Sequence, residues 1–146
     1  MAYKGRYKPV NPNKYRGDSS QVIYRSLWER KVMVYCDNTD AILEWGSEEI
    51  IIPYRSPWDG RIHRYFPDFY IKVRQSNGTI KKFIVEVKPK NQTKPPKKGK
   101  SRRRYLYEQF TWTKNQAKWA AAKRYCEKRN WEFKIVTEKE LGIGYK

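Results

Sequence analysis

The stretch from 66 to 90, FPDFYIKVRQSNGTIKKFIVEVKPK, holds three residues whose types and spacing suit chemistry on a phosphate: Asp68 after a proline, then Glu86 and Lys88. Side chains two apart on a strand share a face, so Ile84, Glu86 and Lys88 point one way and Phe83, Val85 and Val87 the other. On the preceding segment Phe69, Ile71 and Val73 form the apolar set, and Asp68, Tyr70 and Lys72 form the opposite one. A tight two-residue turn at Asn77-Gly78 would set Phe69 against Glu86 and Asp68 against Val87, mixing charged and apolar residues on both faces. A three-residue loop, Ser76-Asn77-Gly78 with Gly78 left-handed, sets Phe69 against Val85, Ile71 against Phe83 and Asp68 against Glu86. The apolar pattern selects this second pairing.

Two opposed carboxylates repel unless positive charge lies between them, and a divalent metal is the natural candidate. Mg²⁺, with Mn²⁺ as its substitute, takes one or two carboxylates and fills its remaining positions with water and substrate phosphate. Asp68 and Glu86 supply that number, and the backbone carbonyl of Val87 adds a further ligand. Lys88 would orient the attacking water or neutralise charge building on the phosphoryl group. The expected reaction is therefore metal-dependent phosphodiester hydrolysis with no small-molecule cofactor. On the residues alone a plainer reading stands beside it, in which Glu86 and Lys88 belong to a solvated strand face and Asp68 is a turn residue after Pro67. No glycine-rich phosphate cradle, zinc-ligand spacing or serine-histidine-acid set accompanies them.

The charge balance points to a polyanionic partner: 33 Lys+Arg against 15 Asp+Glu leave a formal net charge of +18. Nucleic acid is the expected partner, with an affinity that falls as salt rises, and a membrane surface is the competing polyanion. From Lys88 to Arg104, nine of 17 positions are Lys or Arg. Within that run Lys90, Lys94, Lys97, Lys98, Lys100, Arg102, Arg103 and Arg104 are the candidate phosphate contacts. His63, Gln116 and Lys118 are further candidates, although His63 also reads as a partly exposed loop residue and Gln116 as half of a helix cap. Glu48 and Glu49 read as an exposed turn or as outer groups of the site. No apolar run approaches the roughly 20 residues a membrane span needs, and the first residues carry no apolar signal core, so a soluble intracellular protein is expected.

Those residues need a frame. The length fits one domain. Residues 1–25 mix Lys, Arg, Tyr, Pro, Gly and Asn without periodicity and predict a basic arm with little regular structure. Residues 26–146 predict the domain proper, interrupted by a basic loop over 89–104. SLWERKVMVYC predicts a helix capped by Ser26 and Glu29. AILEWGSEEIIIPY predicts a strand, a turn around Gly46 and a second strand, and Asp59-Gly60 marks another turn. Strands over 64–74 and 81–88 follow. A second long helix is expected to begin at a Thr113–Gln116 cap and to stop at a left-handed Asn130. Trp131, Phe133 and Ile135 predict a last strand. Cys36 and Cys126 are isolated, and both are expected reduced and packed. The order is a three-layer mixed α/β plan with helices covering a central sheet.

Pro67-Asp68, followed by Glu86-Val87-Lys88 on the next strand, resembles the PD-(D/E)xK nuclease superfamily, whose core runs αβββαβ in a restriction-endonuclease-like fold. Nearly the whole chain, from YKPVNPNKYRGD through YRSLWERKV, ILEWGSEEI, GRIHRYFPDFY, EVKPK and NQAKWAAAKRYC to WEF and TEKELGI, is similar to the head-completion nucleases of large contractile-tailed bacteriophages. The resemblance implies a Mg²⁺-dependent endo- or exonuclease that grips double-stranded DNA mainly by its backbone and processes packaged DNA so that heads can join tails. It further implies Glu29 as an added metal ligand, head, portal or neck proteins as partners, and action in the bacterial host cytoplasm during virion assembly or within the virion. Three rivals remain at this point: a DNA-binding neck or head protein that does not cut, a junction resolvase or transposase-type end cutter, and, disfavoured by the lack of any RNA-binding signature, a basic RNA-binding protein.

Overall fold

The computed structural model describes residues 4–99 and 101–142, so Lys100 and the last four positions of the expected domain lie outside the described residues. In chain order the elements are β1 (Gly5–Arg6), β2 (Ile23–Tyr24), α1 (Leu27–Asn38), β3 (Ile42–Ser47), β4 (Ile52–Arg55), β5 (Ile62–Tyr65), β6 (Phe69–Arg74), β7 (Ile80–Val87), α2 (Arg102–Arg129) and β8 (Glu132–Val136). The central sheet is ordered β3-β6-β7-β8. Its first three strands are antiparallel neighbours, and β8 returns parallel to β7. This is the mixed α/β plan expected from the sequence. Among the described residues no helix is long and apolar enough to cross a membrane.

The hairpin has the register that the apolar pattern selects. Phe69 faces Val85, Ile71 faces Phe83 and Arg74 faces Ile80. The Gln75 N–H donates to the Thr79 carbonyl at 2.8 Å, which leaves Ser76, Asn77 and Gly78 as the loop, and Gly78 sits at φ 85°. Alternation then sorts the sheet into two cores. Phe69, Val85 and Trp45 pack with Val32, Met33 and Cys36 of α1. Tyr70 and Ile84 pack on the opposite face with Trp119, Ala122 and Cys126 of α2. Both cysteines are free and buried, as expected.

Four expectations change. The run 64–74 is two strands, β5 and β6, parted at Phe66-Pro67-Asp68, and β5 pairs with β4 in a separate two-stranded sheet. Proline has no N–H to give a ladder, so the strand breaks where Pro67 enters. Gly46 lies inside β3 rather than in a turn, because the segment before α1 crosses it. The Arg16 N–H donates to the Trp45 carbonyl at 2.7 Å, and a Cβ on Gly46 would stand 3.2 Å from the Arg16 carbonyl oxygen. The reversal falls instead at Glu48, with φ 55°. Finally, α2 does not start at Thr113. Ser101 caps it by accepting from the Arg104 N–H at 3.3 Å, while the Thr113 hydroxyl donates to the Gln109 carbonyl. The basic loop therefore ends at 101 and Arg102, Arg103 and Arg104 form the first helical turn. After Pro96 the sequence contains no further proline to stop a helix.

The fourth change concerns the N-terminal segment. Instead of an arm with little regular structure, residues 4–25 carry the short strands β1 and β2, two 3-10 turns, and the buried Tyr7, Tyr15 and Val22. Asp37 at the end of α1 ties this segment down. Its carboxylate accepts from the Tyr7 hydroxyl at 2.6 Å and from the backbone N–H groups of Val10 and Asn11 at 2.7 and 2.9 Å. Burial alone would push this carboxyl up, but the three hydrogen bonds and the nearby Lys14 more than reverse that and hold it below its usual range.

Asp37→Ala would leave a buried hydroxyl and two backbone N–H groups without an acceptor, and is expected to cost roughly 3 kcal/mol. A carboxyl depressed in the folded state stabilises fully above its unfolded pKa of about 4 and loses that contribution as the pH falls. Thermal melts of the two proteins should therefore differ most near neutral pH and converge in acid.

Candidate active site

The strand break at Pro67 is what frees Asp68 for chemistry. Extending the β6–β7 register by one step brings position 68 beside Glu86, yet Asp68 has left the ladder. Its side-chain Oδ2 takes the place of the missing strand partner by accepting from the Val87 N–H at 2.8 Å. Its own N–H leans toward Glu86 Oε1 at 3.4 Å, and its carbonyl accepts from the Glu48 N–H at 3.1 Å. Residue 68 is thus held through main chain on two sides. In a strand the N–H and carbonyl of one residue point to the same edge, so the Val87 carbonyl opens onto the same space as the Asp68 side chain.

Glu86 is 6% exposed. The Tyr65 hydroxyl donates to its Oε1 at 2.6 Å, and the Lys88 ammonium lies 3.7 Å from its Oε2. From α2, the half-buried Lys118 reaches over the rings of Tyr65 and Tyr54 at 5.5 and 6.0 Å and feels the charges of both Glu86 and Asp68. Burial, and next to it repulsion by Lys114, push the Lys118 ammonium below its usual range, while the two carboxylates pull the other way. The buried Trp119 indole N–H is directed at the Tyr65 hydroxyl and opposes, in small part, the rise that burial and Glu86 impose on it.

The electrostatics are those of a carboxylate pair short of positive charge. Burial and then the Glu86 charge drive the Asp68 carboxyl up to about 8, with Glu29 adding to the rise and the Val87 N–H and Lys88 opposing it. Glu86 is raised as well, by burial, against the pull of Tyr65 and Lys88. A cation between the two would relieve both. Two carboxylates and a carbonyl match what Mg²⁺ takes from a protein, the remainder being water and phosphate. Among the described residues no group of three or more His, Cys, Asp or Glu is gathered as a ready ligand set.

The other sequence candidates divide. Glu29 both caps and faces the site: its backbone N–H donates to the Ser26 hydroxyl and its side chain accepts from the Arg25 N–H at 3.2 Å, while its charge is felt at Asp68. Lys118 joins the site and Gln116, two residues earlier, is exposed on another face of α2. His63 lies on β5, not in a loop, and its Nε2 is 2.8 Å from Asp59 Oδ2 on the exposed hairpin. Glu48 pairs with Arg25, and Glu49 accepts from the Tyr15 hydroxyl at 2.9 Å. Lys90, Lys94, Lys97 and Arg104 surround a cleft beside the site, while Lys98, Arg102 and Arg103 are exposed without lining it. Tyr65 is the site residue that sequence reasoning missed; its position two residues before Pro67 would have been the only signal.

A mixed sheet flanked by helices, with a Pro-Asp released at one strand end and Glu-x-Lys on its neighbour, is the restriction-endonuclease-like arrangement. The chain belongs to the TnsA-like endonuclease N-terminal family, whose model matches residues 39–138, from β3 through β8. It is also 40% identical over 152 residues to the head completion nuclease of Enterobacteria phage T4, covering 100% of this chain and 99% of that protein. The family match includes Asp68, Glu86, Lys88 and Lys118 and leaves α1, with Glu29, outside it.

A carboxyl raised in the folded state stays protonated after its unfolded counterpart has ionised, so the metal-free protein loses stability as the pH rises from about 4 toward the raised value. Asp68→Asn removes this term while keeping an acceptor for Val87. At about pH 8 in EDTA it should melt higher than the native chain, by roughly 1–3 kcal/mol of stability, and near pH 4 the difference should vanish.

Proposed function

We propose that this chain is a metal-dependent deoxyribonuclease that hydrolyses phosphodiester bonds of packaged DNA in phage head completion, so that heads can join tails. The observation that carries the reading is the pairing of half-buried Asp68 with buried Glu86, anchored by Val87 and Tyr65, with Lys88 at 3.7 Å from Glu86. Full-length similarity to a protein whose name states head completion and nuclease supports the biological role. Head, portal or neck proteins are the proposed assembly partners, and the host cytoplasm during assembly the proposed place of action.

Asp68, Glu86 and the Val87 carbonyl would hold Mg²⁺ or Mn²⁺, with Glu29 as the adjacent acidic group. When bound, such an ion polarises a phosphoryl oxygen and lowers the pKa of a coordinated water. The remaining steps belong to the chain. Tyr65 fixes the rotamer of Glu86 by donating to Oε1, which keeps Oε2 turned toward Lys88. The Lys88 ammonium, half-buried at the exit of β7, orients the attacking water and offsets negative charge that grows on the phosphoryl oxygens. Lys118 adds a second positive charge from the opposite wall. None of these contacts reads a base edge, so cleavage has little sequence preference.

The test is cleavage of supercoiled and linear duplex DNA in Mg²⁺, Mn²⁺ or EDTA by the native chain, Glu86→Ala and Lys88→Ala, with DNA binding measured in parallel. Loss of cleavage by about a hundredfold or more with binding retained is expected for both variants. Equal cleavage by all three would remove catalysis from this hairpin, and binding without cleavage by the native chain would favour a structural DNA-binding role. Tyr65→Phe, which keeps the ring and loses the donor to Glu86, should cut about tenfold more slowly at unchanged DNA affinity.

A further inference from the structure

Between the segment after β7 and the first half of α2 lies a cleft of about 1010 Å³. One wall carries Lys90, Lys94 and Lys97. The other is a single stripe of α2, in which Arg104, Tyr107, Glu108, Thr111, Trp112 and Asn115 recur at three- and four-residue steps, with Glu108 paired to Arg104. The same spacing continues to Lys118 and Trp119, which lie over the carboxylate site. On the opposite wall Lys90 follows Lys88 by two residues. Both walls therefore run into the site, and from Arg104 to Lys118 the helix spans about 21 Å.

Three features of the lining choose among polyanions. Tyr107 is 69% exposed and stacks on no ring among the described residues. Trp112 sits deeper, packed partly against the core. Asn115 is only 7% exposed and lines the cleft. A duplex backbone gripped from outside would require cations alone. Cations on one rim, aromatic side chains on the facing wall and an amide between them suit an unstacked strand, whose phosphates meet the lysines and whose bases stack on the rings.

We propose that this cleft holds a single-stranded stretch of the DNA adjoining the cleavage point, so that the preferred substrate is a duplex with a frayed or tailed end. The proposal rests on the nuclease reading of the neighbouring site and names the substrate class for it. Tyr107 is a stacking residue for the strand and takes no part in bond breaking.

The experiment is fluorescence anisotropy in EDTA at fixed salt, using a blunt duplex and the same duplex with a short 5′ or 3′ thymidine tail. The native chain should bind a tailed duplex about tenfold more tightly than the blunt one, the size of one stacked base. Tyr107→Ala should lose most of that preference with its blunt-duplex affinity unchanged, and Tyr107→Phe should keep it. Lys94→Glu combined with Lys97→Glu should weaken tailed binding more than blunt binding. Equal affinity of the native chain for tailed and blunt DNA, or a preference that Tyr107→Ala leaves intact, overturns the proposal. Because no metal is present, failure here is distinct from failure of the nuclease reading, which the Glu86→Ala cleavage test decides by itself.

Discussion

A three-residue loop with a left-handed glycine sets the register of β6 on β7, and the rest of the structure follows from that pairing. Shifted by one residue, every side chain of one strand would cross to the other face. Phe69, Ile71 and Val73 would leave the α1 core and Tyr70 the α2 core, and position 68 would meet Val87 instead of Glu86. Two cores and one pair of carboxylates thus share a single determinant. Gly78 touches neither core nor site, yet its φ of 85° is the geometry on which both rest.

The site is built at the expense of local stability. Glu86 is buried on the α2 face, with a second carboxylate beside it and a third acidic group on α1 close enough to be felt. Tyr65, the Val87 N–H, Lys88 and Lys118 each relieve part of that charge, and the raised carboxyls show that the relief is incomplete. Asp37 makes the instructive contrast. It too is shielded from solvent, but three hydrogen bonds and a lysine satisfy it, and it serves to hold the chain together. An acidic group that the fold leaves wanting positive charge is one available to a ligand.

What could be read from the sequence was whatever depends on near neighbours. The hairpin register follows from alternation and one Asn-Gly pair, the α1 cap from Ser26 and Glu29, and the left-handed stop from Asn130. What escaped depends on contacts between distant segments. Gly46 looked like a turn because nothing nearby reveals that Arg16 crosses over it. The segment before α1 looked like an arm because its tyrosines find partners at Asp37, Ser47 and Glu49 only in three dimensions. The first turns of α2 were hidden by their arginines, which give no apolar periodicity even though they form helix readily. Asp68, Glu86 and Lys88 were legible as a set, whereas Tyr65 had no local feature to separate it from the other eleven tyrosines.

The arrival of β8 bears on how the chain assembles. β6 and β7 meet across a short loop, so their pairing closes early and cheaply in entropy. β8 joins β7 only after the whole of α2 has been traversed, with Val87 opposite Val136, the Lys88 N–H donating to the Val136 carbonyl and the Lys90 N–H donating to Glu138. Until then the outer edge of β7 carries an unpaired row of N–H and carbonyl groups, a template for pairing with another chain. The lysines that flank this strand, Lys81 and Lys82 at its start and Lys88 and Lys90 at its end, keep such edges apart by repulsion while the last strand is still to come. The positive charge that suits this protein to DNA also guards its own nascent sheet.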